Sequence, residues 1–278
     1  MSKYYTSRMS QVFGGFANKK FSKFTQKIIN NSYVKLMGLD MSEFNEPSKY
    51  ESLNALFTRA LKEPRKFDKY DDSIVSPVDG LVTECGDITD GTSYQIKGME
   101  YKIDELLGHN YSEDIALLEN GDFVNLYLSP KDYHRYHMPM PLKVLSTTHI
   151  PGKLYPVNKK YLNKKKNLFI ENERVIVKTV DSKGKIHFLV LVGALNVGKM
   201  VVTFEDRIKT NIDTTKSTHY TYTDDNIYDK KMKLKKGDLF GWFEMGSTIL
   251  MFSQKDAVKY NLEVGKSVKF ADKIGSVL

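Results

Sequence analysis

From about residue 123 onward the chain is cut into short apolar runs separated by turn residues, and that punctuation limits the folds open to it. Residues 174–180 and 185–192 are both rich in Val, Ile and Leu, and they flank Asp181-Ser-Lys-Gly184, a hairpin signal. Residues 123–128 read as a strand closed by Ser129-Pro130, and residues 199–204, 241–245 and 248–252 read as further strands. Few helical stretches lie between them, which argues against a doubly wound parallel sheet. The expected class is α+β: a helical N-terminal part over residues 1–65, then a mostly antiparallel β-rich body over residues 66–278. A charged, turn-like stretch at residues 65–72 marks the boundary.

The N-terminal part carries two helical patterns. Within residues 11–40, Phe21, Phe24 and Ile28 recur on one side, with Phe13 and Phe16 in a preceding turn, and Lys19, Lys23 and Lys27 recur on the other. This suits a surface helix packed on the core with its lysines in water. It suits equally a helix lying in a membrane interface, with Phe in the acyl boundary and Lys on anionic headgroups. Within residues 48–62, Ser48 and Glu51 offer a capping box, Leu53, Leu56, Phe57 and Leu61 line one face, and Pro64 ends the pattern.

Composition narrows the partners. The chain has 278 residues and a net charge of +8, which favours anionic partners. Its one cysteine, Cys85, rules out an intramolecular disulfide and a cysteine metal cluster, and reads as a small filler near a turn. The first residues lack the apolar core of a secretory signal, and no run approaches a membrane span of about 18 residues. There is no phosphate-cradling GxxxxGK[ST] loop and no glycine-framed aromatic motif of an RNA-binding sheet. The basic run at residues 159–166 is a solvated loop or a headgroup contact.

Three segments carry chemistry. Ser76-Pro-Val-Asp-Gly80 presents Asp79 on a stiff turn. Ser129-Pro-Lys-Asp-Tyr-His-Arg-Tyr-His-Met-Pro139 brackets His134 and His137 between prolines. The pair could ligate a metal, although no third ligand is suggested nearby; either could be a general base; both could be structural. His109, His149, His187 and His219 have no such framing and read as structural. Met245-Gly-Ser-Thr248 places Ser247 between two strand-like runs near the C-terminal end. A hydrolase elbow would read G-x-S-x-G and lead into a helix, which this segment does not. Together the three supply a carboxylate, a base and a nucleophile in the order Asp79, one of His134 and His137, then Ser247.

These motifs, in their order and spacing, resemble the phosphatidylserine decarboxylase family along nearly the whole chain. So do Leu56-Phe-Thr-Arg-Ala-Leu61, Ile150-Pro-Gly-Lys-Leu-Tyr-Pro-Val-Asn158 and Val192-Gly-Ala-Leu-Asn-Val-Gly198. Met245 stands where the family usually has Leu, a volume-conserving exchange. The resemblance implies a proenzyme that cuts itself at Gly246-Ser247, giving a β chain of residues 1–246 and an α chain from residue 247 that remain together as a heterodimer. It implies that Ser247 attacks the Gly246 carbonyl, that His137 is the base, and that Asp79 fixes its tautomer. Ser247 then becomes a covalent pyruvoyl group, the only cofactor, which takes the amine of phosphatidylserine as a Schiff base and releases CO₂ and phosphatidylethanolamine. His134 or His137 would donate the proton, with no metal. The substrate implies a peripheral place on the cytoplasmic face of the cell membrane, with residues 1–65 as the membrane-associating part, the anionic surface as a partner, no nucleic acid, and room for a higher homo-oligomer. An alternative is a serine esterase or protease using the same Asp79, His137 and Ser247 without self-cleavage. Another is a basic lipid- or nucleic-acid-binding protein with no activity, and a third is decarboxylation of a related serine-headgroup lipid.

Overall fold

The computed structural model describes residues 12, 14–89, 93–96, 99–157, 167–195, 199–223, 232–244 and 247–278, and of residues 93–96, 99, 100 and 247 the backbone only. The β-rich body is an antiparallel sheet of nine strands among the described residues. Its order runs Thr218–Thr221, Leu142–Ile150, Arg174–Val180, Ile186–Gly193, Ser247–Ser253, Asp122–Leu128, Gly80–Asp87 and Ser267–Val268. Lys233–Leu234 pairs beside Thr218–Thr221 on Leu142–Ile150. The expected hairpin is present: Val180 faces Ile186, and Asp181 closes the turn by accepting from the backbone N–H of Lys183 and Lys185 at 2.8 and 2.9 Å. The observed strands match the apolar runs to within a few residues, because each run is bounded by turn residues. The class is α+β with few helices, as expected.

The strand Ser247–Ser253 lies in the middle of the sheet. It pairs residue for residue with Asp122–Leu128 on one side and Ile186–Gly193 on the other. Ile249, Leu250 and Phe252 are fully buried, which is why this run is apolar throughout rather than alternating. Tyr111 packs edge-on against Phe188 of the sheet at 5.2 Å. A smaller sheet of Met200–Val202, Leu239–Phe243 and Arg135–His137 carries the histidine segment. Its Tyr136 ring packs on Phe240 and Phe243 at 4.7 and 4.8 Å.

The helical part differs from the sequence pattern in two respects. Residues 14–18 form one helical turn, residues 19–22 break it, and Lys23–Met37 is the main helix. The break follows from Ser22, whose Oγ caps the new helix by accepting from the Thr25 N–H at 3.3 Å. The buried face of this helix is Gln26, Asn30 and Tyr33, while Phe24 and Ile28 are exposed. Asn30 makes that polar face tenable. Its amide accepts from Gln26 at 2.8 Å and donates to the carbonyls of Pro47 and Tyr50 at 2.8 and 2.9 Å. Of the two orientations the pattern allowed, the apolar row faces outward, as a membrane-interface helix requires. The second helix is short, Leu53–Phe57, and its cap is Ser52 rather than Ser48: Ser52 Oγ accepts from Ala55 N–H at 3.0 Å. Pro47–Lys49 forms a 3₁₀ turn instead. Leu53, Leu56 and Phe57 are buried as the pattern requires.

Candidate active site

The Asp79 turn and the histidine segment are built as one unit. His137 N–H donates to Pro77 O at 2.9 Å, and Val75 N–H to Pro139 O at 2.9 Å. Ser76 Oγ donates to Val78 O at 2.7 Å within the turn, and Ser76 N–H to Asp272 O at 2.8 Å. Gly80 follows because the chain passes close to the next strand: a Cβ there would stand 2.9 Å from Tyr127 O.

Asp79 and His137 lie in one cluster but do not hydrogen-bond to each other. The Asp79 carboxylate accepts from both terminal nitrogens of Arg65, Nη2 at 3.0 Å, and from the Phe270 N–H at 2.7 Å. Arg65 also grips Glu43 through Nε and Nη2, each at 2.8 Å. The His137 ring stacks on Phe270, centroids 3.8 Å apart and planes 14° apart. Its Nδ1–H donates to Gly237 O at 2.8 Å, which fixes the tautomer and leaves Nε2 as the acceptor for the Tyr133 hydroxyl at 2.9 Å. The orienting group that the motifs assign to Asp79 is thus the Gly237 carbonyl, and Asp79 acts on the ring by charge. Burial pushes the His137 pKa down to about 4, against the Gly237 hydrogen bond and the Asp79 charge that favour protonation. Gly237 sits at φ +82°, and a Cβ there would meet the Phe67 ring at 2.5 Å, so only glycine presents this carbonyl.

His134 is fully buried. Its Nδ1–H donates to Asp132 O at 2.8 Å, and its ring lies 4.0 Å from that of Phe57. Burial pushes its pKa down to about 3. Its Nε2 has no partner among the described residues.

Two contacts bring the nucleophile's segment to this cluster. Phe243 N–H donates to His134 O at 2.9 Å, and Ser247 pairs through the backbone with Leu128, the residue before Ser129. The links on both sides of residues 245 and 246 are therefore anchored on the stretch from Leu128 to His137. Gly246 and Met245 lie outside the described residues, as does the side chain of Ser247, and the basic run at 159–166 lies outside them too.

The family profile for phosphatidylserine decarboxylase matches residues 53–276. The chain is 46% identical over 275 residues to the phosphatidylserine decarboxylase proenzyme of Campylobacter jejuni, covering 97% of this chain and 98% of that one. It is 47% identical over 270 residues to that of Helicobacter pylori, covering 97% of each. This chain belongs to the phosphatidylserine decarboxylase family. The proenzyme of Brevibacillus brevis, more distant at 38% identity, still covers 94% of this chain and 90% of its own length.

Within this family member the motifs located Asp79, His134 and His137 but not what surrounds them. Arg65, Glu43, Phe270 and Gly237 come from distant parts of the chain and carry no motif of their own. Tyr133 sits inside the histidine motif, and its aromatic, Pro-bracketed frame was the one signal available for it. Among the described residues no group of three or more His, Cys, Asp or Glu is placed to hold a metal.

Proposed function

We propose that this chain is a self-processing phosphatidylserine decarboxylase, cut between Gly246 and Ser247, with Asp79, His137 and Ser247 doing the cutting. The observation that carries the reading is the anchoring of the segment on both sides of that bond to the histidine stretch, at His134 O and at Leu128. His137 Nε2 is the basic atom, since Nδ1 is committed to Gly237 O. It takes the Ser247 hydroxyl proton as the Tyr133 hydroxyl gives way. Oγ attacks the Gly246 carbonyl carbon, the peptide C–N bond is replaced by an ester C–O bond, and the proton passes to the released nitrogen. Asp79, held between Arg65 and Phe270 N–H, stabilises the charged ring from beside it.

The pyruvoyl group that Ser247 would become fits this surrounding: it would stand at the head of a strand locked on both sides, and His134, whose carbonyl anchors Phe243 just upstream, keeps a buried Nε2 with no partner among the described residues. Such a group supplies a carbonyl that takes a substrate amine and accepts electrons as CO₂ leaves. The chain's own residues do the rest. His134, buried and neutral, and His137 are the groups that hold or move a proton, and the Phe57, Tyr133 and Phe270 rings exclude water around them.

The substrate stays in a bilayer, so the protein must work on a surface. Phe24 is 75% exposed, Ile28 51% and Leu36 79%, all on the outer side of the Lys23–Met37 helix, with Lys27 and Lys35 among them. No helix among the described residues is long and apolar enough to cross a membrane. We assign this face to the acyl boundary of an anionic cytoplasmic leaflet, with the two chains produced by cleavage staying paired.

The test is an intact-mass spectrum of purified protein together with CO₂ release from phosphatidylserine vesicles. Two fragments, the smaller starting at residue 247 with a blocked N-terminus, and release of CO₂ are expected. A stable single species of 31.9 kDa with no CO₂ release in the presence of vesicles would overturn the proposal.

A further inference from the structure

One charged side chain near the site is buried without a counter-ion in contact. Arg59 is 2% exposed. Its Nη2 donates to the carbonyls of Lys131 and Asp132 at 2.8 and 3.2 Å, while Nε and Nη1 have no partner among the described residues. Its guanidinium lies 4.4 Å over the Phe44 ring. The two carboxylates whose charge it feels are committed elsewhere: Asp79 to Arg65 and Phe270 N–H, and Asp132 to the Ser129 N–H at 2.6 Å. The buried hydroxyl of Tyr33, also within its field, has no hydrogen-bond partner among the described residues.

The location is as specific as the deficit. Arg59 Nη2 and His134 Nδ1 share one acceptor, Asp132 O, so the guanidinium and the imidazole are neighbours. Each also keeps unpartnered nitrogen: Nε and Nη1 on Arg59, Nε2 on His134. A buried cation with idle donors is costly unless an anion meets it. A guanidinium is also the side chain best suited to hold a planar or tetrahedral oxyanion.

We propose that Arg59 anchors an oxyanion of the substrate headgroup beside His134. The proposal rests on the decarboxylase reading and adds the group that recognises the headgroup's negative charge. A serine phospholipid offers two such oxyanions, the phosphodiester and the carboxylate. The phosphodiester is the better match, because an ion pair to the carboxylate would stabilise the ground state of the group that must leave as CO₂.

Three soluble probes separate these sources: O-phospho-L-serine carries both oxyanions, phosphoethanolamine only the phosphate, and L-serine only the carboxylate. Each is titrated calorimetrically into the uncut Ser247→Ala chain with and without Arg59→Gln. Loss of about 10- to 100-fold in affinity for O-phospho-L-serine and phosphoethanolamine, with L-serine unaffected, is expected. Loss for O-phospho-L-serine and L-serine only would keep Arg59 as the anchor and assign it the carboxylate. Equal affinities with and without Arg59, or no binding of any probe to the parent chain, overturn the proposal. Should Arg59→Gln not fold, Arg59→Lys, which keeps the charge and loses the fork, replaces it. In processed enzyme, Arg59→Lys should raise KM for phosphatidylserine more than it lowers kcat. Parent enzyme that releases CO₂ while this variant keeps its KM would refute the anchor alone. Absence of turnover in the parent would refute the decarboxylase reading.

Discussion

His137 commits one ring nitrogen to a backbone carbonyl and the other to a phenol, and both choices have measurable consequences. With its pKa pushed down to about 4, the ring is neutral, and able to accept a proton, from neutral pH to well below the usual histidine range. Self-cleavage of accumulated precursor should therefore hold its rate from pH 7 to about pH 5 and fall below that. An acid limb near 6.5 would contradict the buried, Nε2-basic state. Tyr133→Phe removes the hydroxyl that donates to the neutral ring, so the limb should move up toward 6.5, a change that lost packing alone would not produce. Asp79→Asn should leave an uncut 31.9 kDa chain on a denaturing gel, since the Arg65 fork would lose its inner carboxylate and the ring its supporting charge. At this scale the motifs made Asp79, His134 and His137 legible. Their partners were not, because Phe270 lies 191 residues from Asp79 and Gly237 lies 100 from His137. Nothing local announces a backbone donor or acceptor that arrives from so far away.

The Lys23–Met37 helix shows why a periodic pattern fixes an element better than its orientation. The 3.6-residue spacing gave the helix and its apolar row, but both faces could have been buried. Asn30 decided the matter by donating to Pro47 O and Tyr50 O, acceptors that periodicity does not see, while Gln26 supports it by donating to its side-chain oxygen. Asn30→Ala should cost about 1–3 kcal/mol in chemical denaturation, because two carbonyls and the Gln26 amide lose their partner. Phe24→Ser together with Ile28→Ser should leave the melting temperature nearly unchanged, since both side chains already face outward, while weakening sedimentation with anionic vesicles. Vesicle binding that survives the double substitution would remove this face from the membrane contact. The strands were the most legible elements. The run at 248–252 is apolar at successive positions because it is covered on both faces, and its placement at the centre of the sheet was the part that sequence spacing left open.

For the molecule as a whole, His134 and His137 contribute to an acid limit. Both are held below their ordinary value of 6.5, at about 4 and about 3, so the unfolded chain binds protons that the folded chain refuses. Their contribution is fully present above pH 6.5 and is lost as pH falls toward 4 and then 3, each tenfold difference in proton affinity between the two states being worth about 1.4 kcal/mol. Asp122 works the other way: burial and then the charges of Asp87 and Asp256 raise it to about 6, so its penalty grows as pH rises from about 4 to 6. Asp122→Asn should raise the melting temperature at pH 7 and have little effect at pH 4.

The strand beginning at Ser247 has one more consequence, for the history of the protein. Its neighbours, Asp122–Leu128 and Ile186–Gly193, lie far upstream, and a chain still tethered to both inserts it between them without a bimolecular step. If the bond before it is cut as proposed, the mature molecule must bring the strand back as a separate chain. Uncut Ser247→Ala should refold from denaturant at a rate independent of concentration. The mature pair, diluted from denaturant, should recover slowly, in proportion to concentration, or not at all. The enzyme would then be a product that can be made once.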